Sequence, residues 1–219
     1  QWSLVGSEMC IRDRHNAMIL GKDLSKVNKV VLSHFHSDHT GGLIKLRKTY
    51  KNINKNAFSE VYVARGFFDQ RFYKDGSKEG PGNFKDSSKF KQKAEEEGIK
   101  FIILDDHMMI SENLYVTGTV ERTVEKYNGP MGFFLDEQLT IPDIIKDDQS
   151  VGMLTDKGWI MMSGCGHSGI INTAKKLQSI KNVPVYGAIG GFHLFKADNE
   201  IISKTANWLG DNGLTKFMG

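Results

Sequence analysis

The feature that most constrains this chain is the run Val30-Val31-Leu32-Ser33-His34-Phe35-His36-Ser37-Asp38-His39-Thr40-Gly41-Gly42-Leu43. A β-branched apolar segment ends there, and three histidines and an aspartate follow within six residues. Side chains alternate along a strand, so His34 and His36 point the same way as the chain leaves it. Asp38 and His39 come on the turn and can fold back toward the same point. Neutral imidazoles and a carboxylate are the ligands that Zn²⁺, Fe and Mn take. His34/His36 and Asp38/His39 form two ligand groups, which suits a pair of adjacent divalent ions. A polar loop that merely holds histidines is the plain alternative, and the H-x-H-x-D-H spacing directly behind a buried strand argues against it.

Composition limits the rest. At 219 residues, with 39% hydrophobic residues, the chain fits one α/β domain with a packed core. The net charge of +3 gives no reason to expect nucleic acid as a partner. The small lysine excess is compatible with an anionic small-molecule substrate, although solvated surface explains most of it. No run of about 18 apolar residues is present, so no membrane-spanning helix is expected, and a cytoplasmic location is the default. Cys10 and Cys165 do not make a disulfide framework. Nothing in the sequence speaks to oligomeric state.

The two ends read differently from the middle. Residues 1–14, QWSLVGSEMCIRDR, show neither strand alternation nor helical period and resemble translated sequencing-adapter DNA. They are set aside as an artefact, leaving 15–219 as a partial domain. Apart from the 27–33 run no strand precedes the histidines, and residues 215–219 read as a strand cut short. The expectation is a fragment lacking N-terminal strands and its C-terminal end.

Along the chain, 27–33 reads as a buried strand and 40–50 as a helix whose N-terminus lies beside the histidines. Residues 60–64 alternate as a strand, 66–73 read as a short helix or loop, and 74–93 as a mobile surface insertion around Gly80-Pro81-Gly82. Strands are expected at 101–104 and 113–117. Residues 127–148 read as irregular, suited to a lid. A hairpin is expected from 150–155 and 158–163, then a helix at 168–180, a strand at 183–190 and a helix at 200–212.

A second constellation is Ser163-Gly164-Cys165-Gly166-His167-Ser168-Gly169, a strand entering a glycine turn and then a helix. Open α/β sheets usually place their chemistry at such strand ends. Cys165 and His167 are both competent metal ligands; a core cysteine and a helix-cap neighbour are the bland readings. Gly190-Gly191-Phe192-His193 repeats the logic, with His193 a metal or substrate-phosphate candidate. Arg122 can clamp an anion with its planar fork or sit in a surface ion pair. His15 and His107 lack ligand-like neighbours.

Taken together, VVLSHFHSDHTGGL, Thr117-Gly118-x-Val120-x-Arg122, Pro142-Asp143…Asp147-Asp148-Gln149-Ser150, SGCGHSGIIN and IGGFHL resemble the metallo-β-lactamase superfamily. Within it they resemble the branch of archaeal 7,8-dihydropterin-6-methyl-4-(β-D-ribofuranosyl)aminobenzene 5′-phosphate synthases. The resemblance implies an αββα sandwich with a metal site at one edge of two facing sheets. It implies one or two divalent ions, zinc first, with Mg, Mn or Fe as alternatives. It implies His34, His36, Asp38, His39 and His167 as ligands, with Asp38 also catalytic, and Cys165, His193 and Arg122 as further metal or substrate contacts. The archaeal members displace diphosphate from a pterin with an arylamine. The chain departs from the wider superfamily in two places. Thr117-Gly118-Thr119-Val120-Glu121 stands where a third histidine turn is usual, and Cys165 stands where an aspartate usually bridges two metals. The expected function is a metal-dependent enzyme acting on a phosphorylated or pterin-like small molecule. A generic hydrolase of esters, lactones or phosphodiesters and a non-catalytic metal-binding domain are the alternatives.

Overall fold

The computed structural model describes residues 19–126, 132–194 and 197–219, and of Asn83 only the backbone. The 1–14 segment and His15 lie outside the described residues, as do 127–131 of the expected lid. Mixed α/β structure is present in two compact units. Among the described residues the first runs up to Ile103 and takes in Gly132–Asp143, and the second comprises the stretches beginning at Leu104 and at Ile144.

The first unit opens on a 3-10 turn, Leu24–Lys26, started by Asp23, whose carboxylate accepts from the Ser25 N–H at 3.0 Å. Strand β1 (Lys29–Val31) then pairs in parallel with β2 (Glu60–Ala64), and β5 (Lys100–Leu104) completes a three-stranded sheet in the order β1-β2-β5. Val30, Val61 and Val63 are fully buried, so these strands read as continuous apolar runs, as parallel strands do. The expected 40–50 helix is broken in two, Ser37–Thr40 and Leu43–Tyr50, at the glycine pair Gly41-Gly42. A second sheet, β4-β3-β8, joins Lys78–Glu79, Arg71–Tyr73 and Phe133–Phe134.

Two expectations fail here for the same reason. Residues 66–73 end in strand β3, and 74–93 is built structure, not a surface insertion: it holds β4, a 3-10 turn (Pro81–Asn83) and most of the Ser87–Glu96 helix. Asp86 caps that helix through the Ser88 N–H at 2.9 Å, and Phe90 and Ala94 bury its inner face. Polar, glycine-bearing sequence hid two well-spaced apolar anchors.

The second unit holds a six-stranded sheet in the order β12-β11-β10-β9-β7-β6. Its strands are β6 (Met108–Ser111), β7 (Leu114–Val116), β9 (Ser150–Thr155), β10 (Gly158–Ser163), β11 (Val185–Gly190) and β12 (Lys216–Met218). The β9–β10 hairpin has the expected bounds, in register from Gly158↔Thr155 to Ser163↔Ser150. β10–β11 and β11–β12 are parallel. Strand β6 was not expected: Met108-Met109-Ile110 does not alternate, but Asn113 adopts φ 57°, a left-handed conformation that asparagine tolerates, and closes a hairpin onto β7. Helices Ile170–Ile180 and Asn199–Asp211 accompany this sheet, and Leu177, Ala174 and Leu209 share one buried cluster with Trp159, Met161 and Ala188.

Candidate metal centre

In the first unit the histidine run begins just past β1, where Leu32 N–H still donates to Tyr62 O at 3.1 Å. His34 is fully buried and His36 half-buried. One ring nitrogen of each, His34 Nε2 and His36 Nδ1, face each other at 2.8 Å. The other nitrogen of His34, Nδ1, contacts Ser33 Oγ at 3.0 Å, so Ser33 settles how that ring is turned. The His34 and His39 rings lie 4.4 Å apart, and each has a ring nitrogen within 4.8 Å of one on the other. Burial holds His39 below the ordinary imidazole range, opposed by the nearby Asp38 carboxylate, which favours the neutral ring that a metal takes as ligand. Asp38 lies 3.4 Å from His39 Nε2 and is largely exposed.

Thr40 secures the turn. Its hydroxyl lies 2.9 Å from His36 O and 3.2 Å from Phe35 O, and accepts from the Gly82 N–H at 2.7 Å. Gly82 has φ 64°, and a Cβ there would stand 2.7 Å from the Phe90 ring. The segment 74–93 thus braces the histidine turn, a role with no signal in its polar sequence.

Sequence placed His34, His36, Asp38 and His39 together; the first unit brings the three histidines close, with Asp38 at their exposed edge against His39. The donor set and its compactness fit a divalent ion. Bonds of about 2.0–2.1 Å in a tetrahedron separate two nitrogens by about 3.3 Å, so the 2.8 Å histidine pair needs to open by only about half an ångström.

The second unit assembles the other candidates. The Gly164–Ser168 turn leaves β10, and Gly191 N–H donates to Gly164 O at 3.0 Å, which fastens it to the turn after β11. A Cβ on Gly166 would stand 2.9 Å from Gly191 O, so only glycine permits this approach. The His167 and His193 rings consequently lie 4.3 Å apart. His193 has φ 48°, an uncommon conformation for a non-glycine residue. Cys165 is half-buried on the same turn.

A buried acid, Asp148, and a half-buried one, Glu125, support this turn and the helix after it, and neither carried an assigned role in the sequence. Asp148 Oδ2 accepts from the Ser168 N–H at 2.8 Å, and Asp148 O accepts from Ser168 Oγ at 3.1 Å. Burial pushes the Asp148 carboxyl up to about 7, against the Ser168 hydrogen bonds and the Arg122 charge, with Asp147 adding to the rise. Arg122 also donates from Nη2 to Ile145 O at 2.9 Å. Glu125 Oε2 accepts from the Ile171 N–H at 2.6 Å and the Asn172 N–H at 3.2 Å, capping the Ile170–Ile180 helix from outside, because its N-cap is Gly169. Burial raises the Glu125 carboxyl, opposed by those backbone donors. His107 is on the surface, beside Asp106 at 3.0 Å. A cleft of about 290 Å³ lined by Glu121, Lys175 and Lys176 among others has no histidine in its wall. Among the described residues no helix is long and apolar enough to cross a membrane.

Comparison with known proteins adds sequence and fold relationships. Residues 6–176 match the family described as the Metallo-beta-lactamase superfamily. The chain is 30% identical over 208 residues to the 7,8-dihydropterin-6-methyl-4-(beta-D-ribofuranosyl)-aminobenzene-5'-phosphate synthase of Methanocaldococcus jannaschii, covering 92% of this chain and 68% of that protein. It is 28% identical over 207 residues to the uncharacterized protein MJ0448 of the same organism, covering 88% and 70%. The structure resembles the crystal structure of Tm1679, a metal-dependent hydrolase of the beta-lactamase superfamily, with TM-score 0.75 and 23% identity over 99% of this chain and 75% of that one.

Proposed function

Because the chain belongs to the metallo-β-lactamase superfamily and has its fold, we propose that it is a metal-dependent enzyme acting on a phosphorylated or pterin-like small molecule. The observation that carries the substrate class is the 30% identity with the archaeal synthase across nearly the whole chain. The proposed ligands are His34, His36, Asp38, His39 and His167, with Cys165 and His193 as further candidates. One or two divalent ions, zinc foremost, would supply a Lewis acid that polarises a phosphoryl or carbonyl oxygen and brings a bound water toward a pKa of about 7.

The chain's own residues do the rest. Ser33 fixes the His34 ring, which leaves Nε2 directed at His36 Nδ1. The surroundings of His39 favour its neutral ring, which needs no proton removed before it binds. Asp38, exposed beside His39, is placed to take up or orient the proton of an attacking group. Asp148 and Glu125 keep the turn carrying Cys165 and His167 in shape. Arg122 and the lysine excess favour an anionic substrate.

The test combines elemental analysis with a substrate panel of pterin diphosphate plus arylamine, phosphodiester and lactone. Stoichiometric transition metal, turnover of the pterin pair, and loss of at least about a hundredfold in His36→Ala are expected. Turnover of the ester, lactone or phosphodiester alone would move the assignment to a generic metallohydrolase. Full activity in His36→Ala, or no bound metal at all, refutes the proposal.

A further inference from the structure

Within the first unit a fully buried ion pair stands directly behind the histidine run. Arg71 and Asp143 have no exposed side-chain surface, and Arg71 Nε donates to Asp143 Oδ2 at 2.9 Å. Arg71 Nη1 donates to Phe67 O at 3.0 Å and to Asp69 O at 2.8 Å. The guanidinium lies over the Phe35 ring, with Cζ 3.8 Å from its centroid. Phe35 is the residue between His34 and His36, and it is fully buried.

Asp143 reaches the same place by a second route. Its backbone N–H donates to Phe133 O at 3.0 Å, which fixes strand β8. Phe133 packs on Phe35 at 5.4 Å and on His36 at 5.2 Å, while Phe35 meets His36 at 4.6 Å. Two of the rings beside the His36 imidazole are therefore tied to the residues of the ion pair, Phe35 through the Arg71 guanidinium and Phe133 through the Asp143 backbone.

We propose that Arg71 and Asp143 are positioning residues for the histidine cluster: by clamping Phe35 and Phe133 they set the orientation of the His36 ring. Burying two charges is costly, and well-packed apolar residues of similar volume usually serve stability as well or better. What an apolar pair lacks is direction. The guanidinium is a planar fork with fixed donors, so its hydrogen bonds to Asp143, Phe67 O and Asp69 O orient the group against which Phe35 packs. Phe35 sits between the two histidines in the chain and its ring meets His36 at 4.6 Å, so a tilt of Phe35 is passed to that imidazole. Partners behind metal-binding histidines commonly change metal affinity by 10–100-fold when altered.

The proposal rests on reading His34 and His36 as metal ligands, and its test keeps the two apart. The protein is prepared as wild type, Arg71→Lys, Phe35→Leu and the charge-free double variant Arg71→Met/Asp143→Leu. Each is followed by circular dichroism and thermal melting, by titration with Co²⁺ read from its visible absorption, and by the His36 ring resonances of the metal-free protein. The expected result is a cooperatively folded double variant whose Co²⁺ affinity falls about 10–100-fold. Phe35→Leu should fall by a similar factor, with little further loss when the changes are combined. The His36 resonances should shift or broaden in each. If the double variant does not fold, Arg71→Lys carries the test, since it keeps the charge and loses the fork. Folded variants with wild-type Co²⁺ affinity and unmoved His36 resonances overturn the proposal. If wild type binds no Co²⁺, the metal reading fails, and the metal-free His36 resonances alone decide this one.

Discussion

Asp148 offers a quantitative test of how the second unit is held together. Its carboxyl is completely buried and titrates at about 7 in the folded chain, against 3.8 for a free aspartate. The folded state therefore binds a proton that the unfolded state has already released across that window. Stability from this group is complete below about pH 4, declines by about 1.4 kcal/mol per pH unit, and is gone above about pH 7. The total is about 4 kcal/mol. Asp148→Asn keeps an acceptor for the Ser168 N–H and carries no charge at any pH. The variant's stability relative to wild type should be flat below about pH 4 and rise by about 4 kcal/mol by pH 8.

The measurement is urea unfolding from pH 3.5 to 8.5 in the presence of a chelator, comparing the two proteins at each pH. The difference matters because His39 gives the opposite slope. Its folded value is lowered, so its contribution is lost as pH falls below the ordinary imidazole value. His39 lies in the other unit and is present in both proteins, so it cancels. A difference between variant and wild type that is constant with pH, or that falls with rising pH, refutes the burial argument.

Two further outcomes follow from packing. A Cβ on Gly152 would collide with Leu177 Cδ2 and stand 3.1 Å from Trp159 Cε3, so Gly152→Ala should cost about 1–3 kcal/mol. Adding Leu177→Ala should cost less than the sum of the two changes, and strict additivity in a thermal double-mutant cycle would argue against the contact. Arg47 is almost fully buried and donates to Glu97 O, Lys55 O and Ala57 O, so Arg47→Met should lose about 3 kcal/mol or more by leaving carbonyls unmet. A loss below about 1 kcal/mol in urea unfolding would mean those carbonyls find water instead.

Legibility in the sequence followed locality. The β9–β10 hairpin could be read from alternation around Asp156-Lys157-Gly158, and its bounds are as expected. The Asn199–Asp211 helix starts within a residue of its expected place, where Asp198 caps it through the Ile201 N–H at 2.8 Å. Strand β2 is also as expected, but β1 is shorter than its apolar run because Leu24–Lys26 and Asp23 take the start into a turn. The polar stretch through Gly80-Pro81-Gly82 gave no hint that Gly82 donates to Thr40 behind the histidines. Strand β8 within 127–148 was equally hidden, since two residues form a strand only when a partner such as β3 is already in place.

The sequence by itself determined the family and the clustering of candidate ligands. His34, His36, Asp38 and His39 are ligand types at a spacing that a strand and one turn bring together, and that depends on backbone geometry alone. Tertiary structure decided the supporting contacts, within the first unit behind the histidines and within the second behind the Gly164–Ser168 turn. Arg71 and Asp143 are 72 positions apart, Glu125 and Ile171 are 46, and Asp148 and Ser168 are 20. Each pair joins an ordinary charged residue to a distant side chain or backbone N–H with no local pattern. Only folding takes such groups out of water, and a buried charge or backbone donor then has to find its partner wherever the chain has brought one.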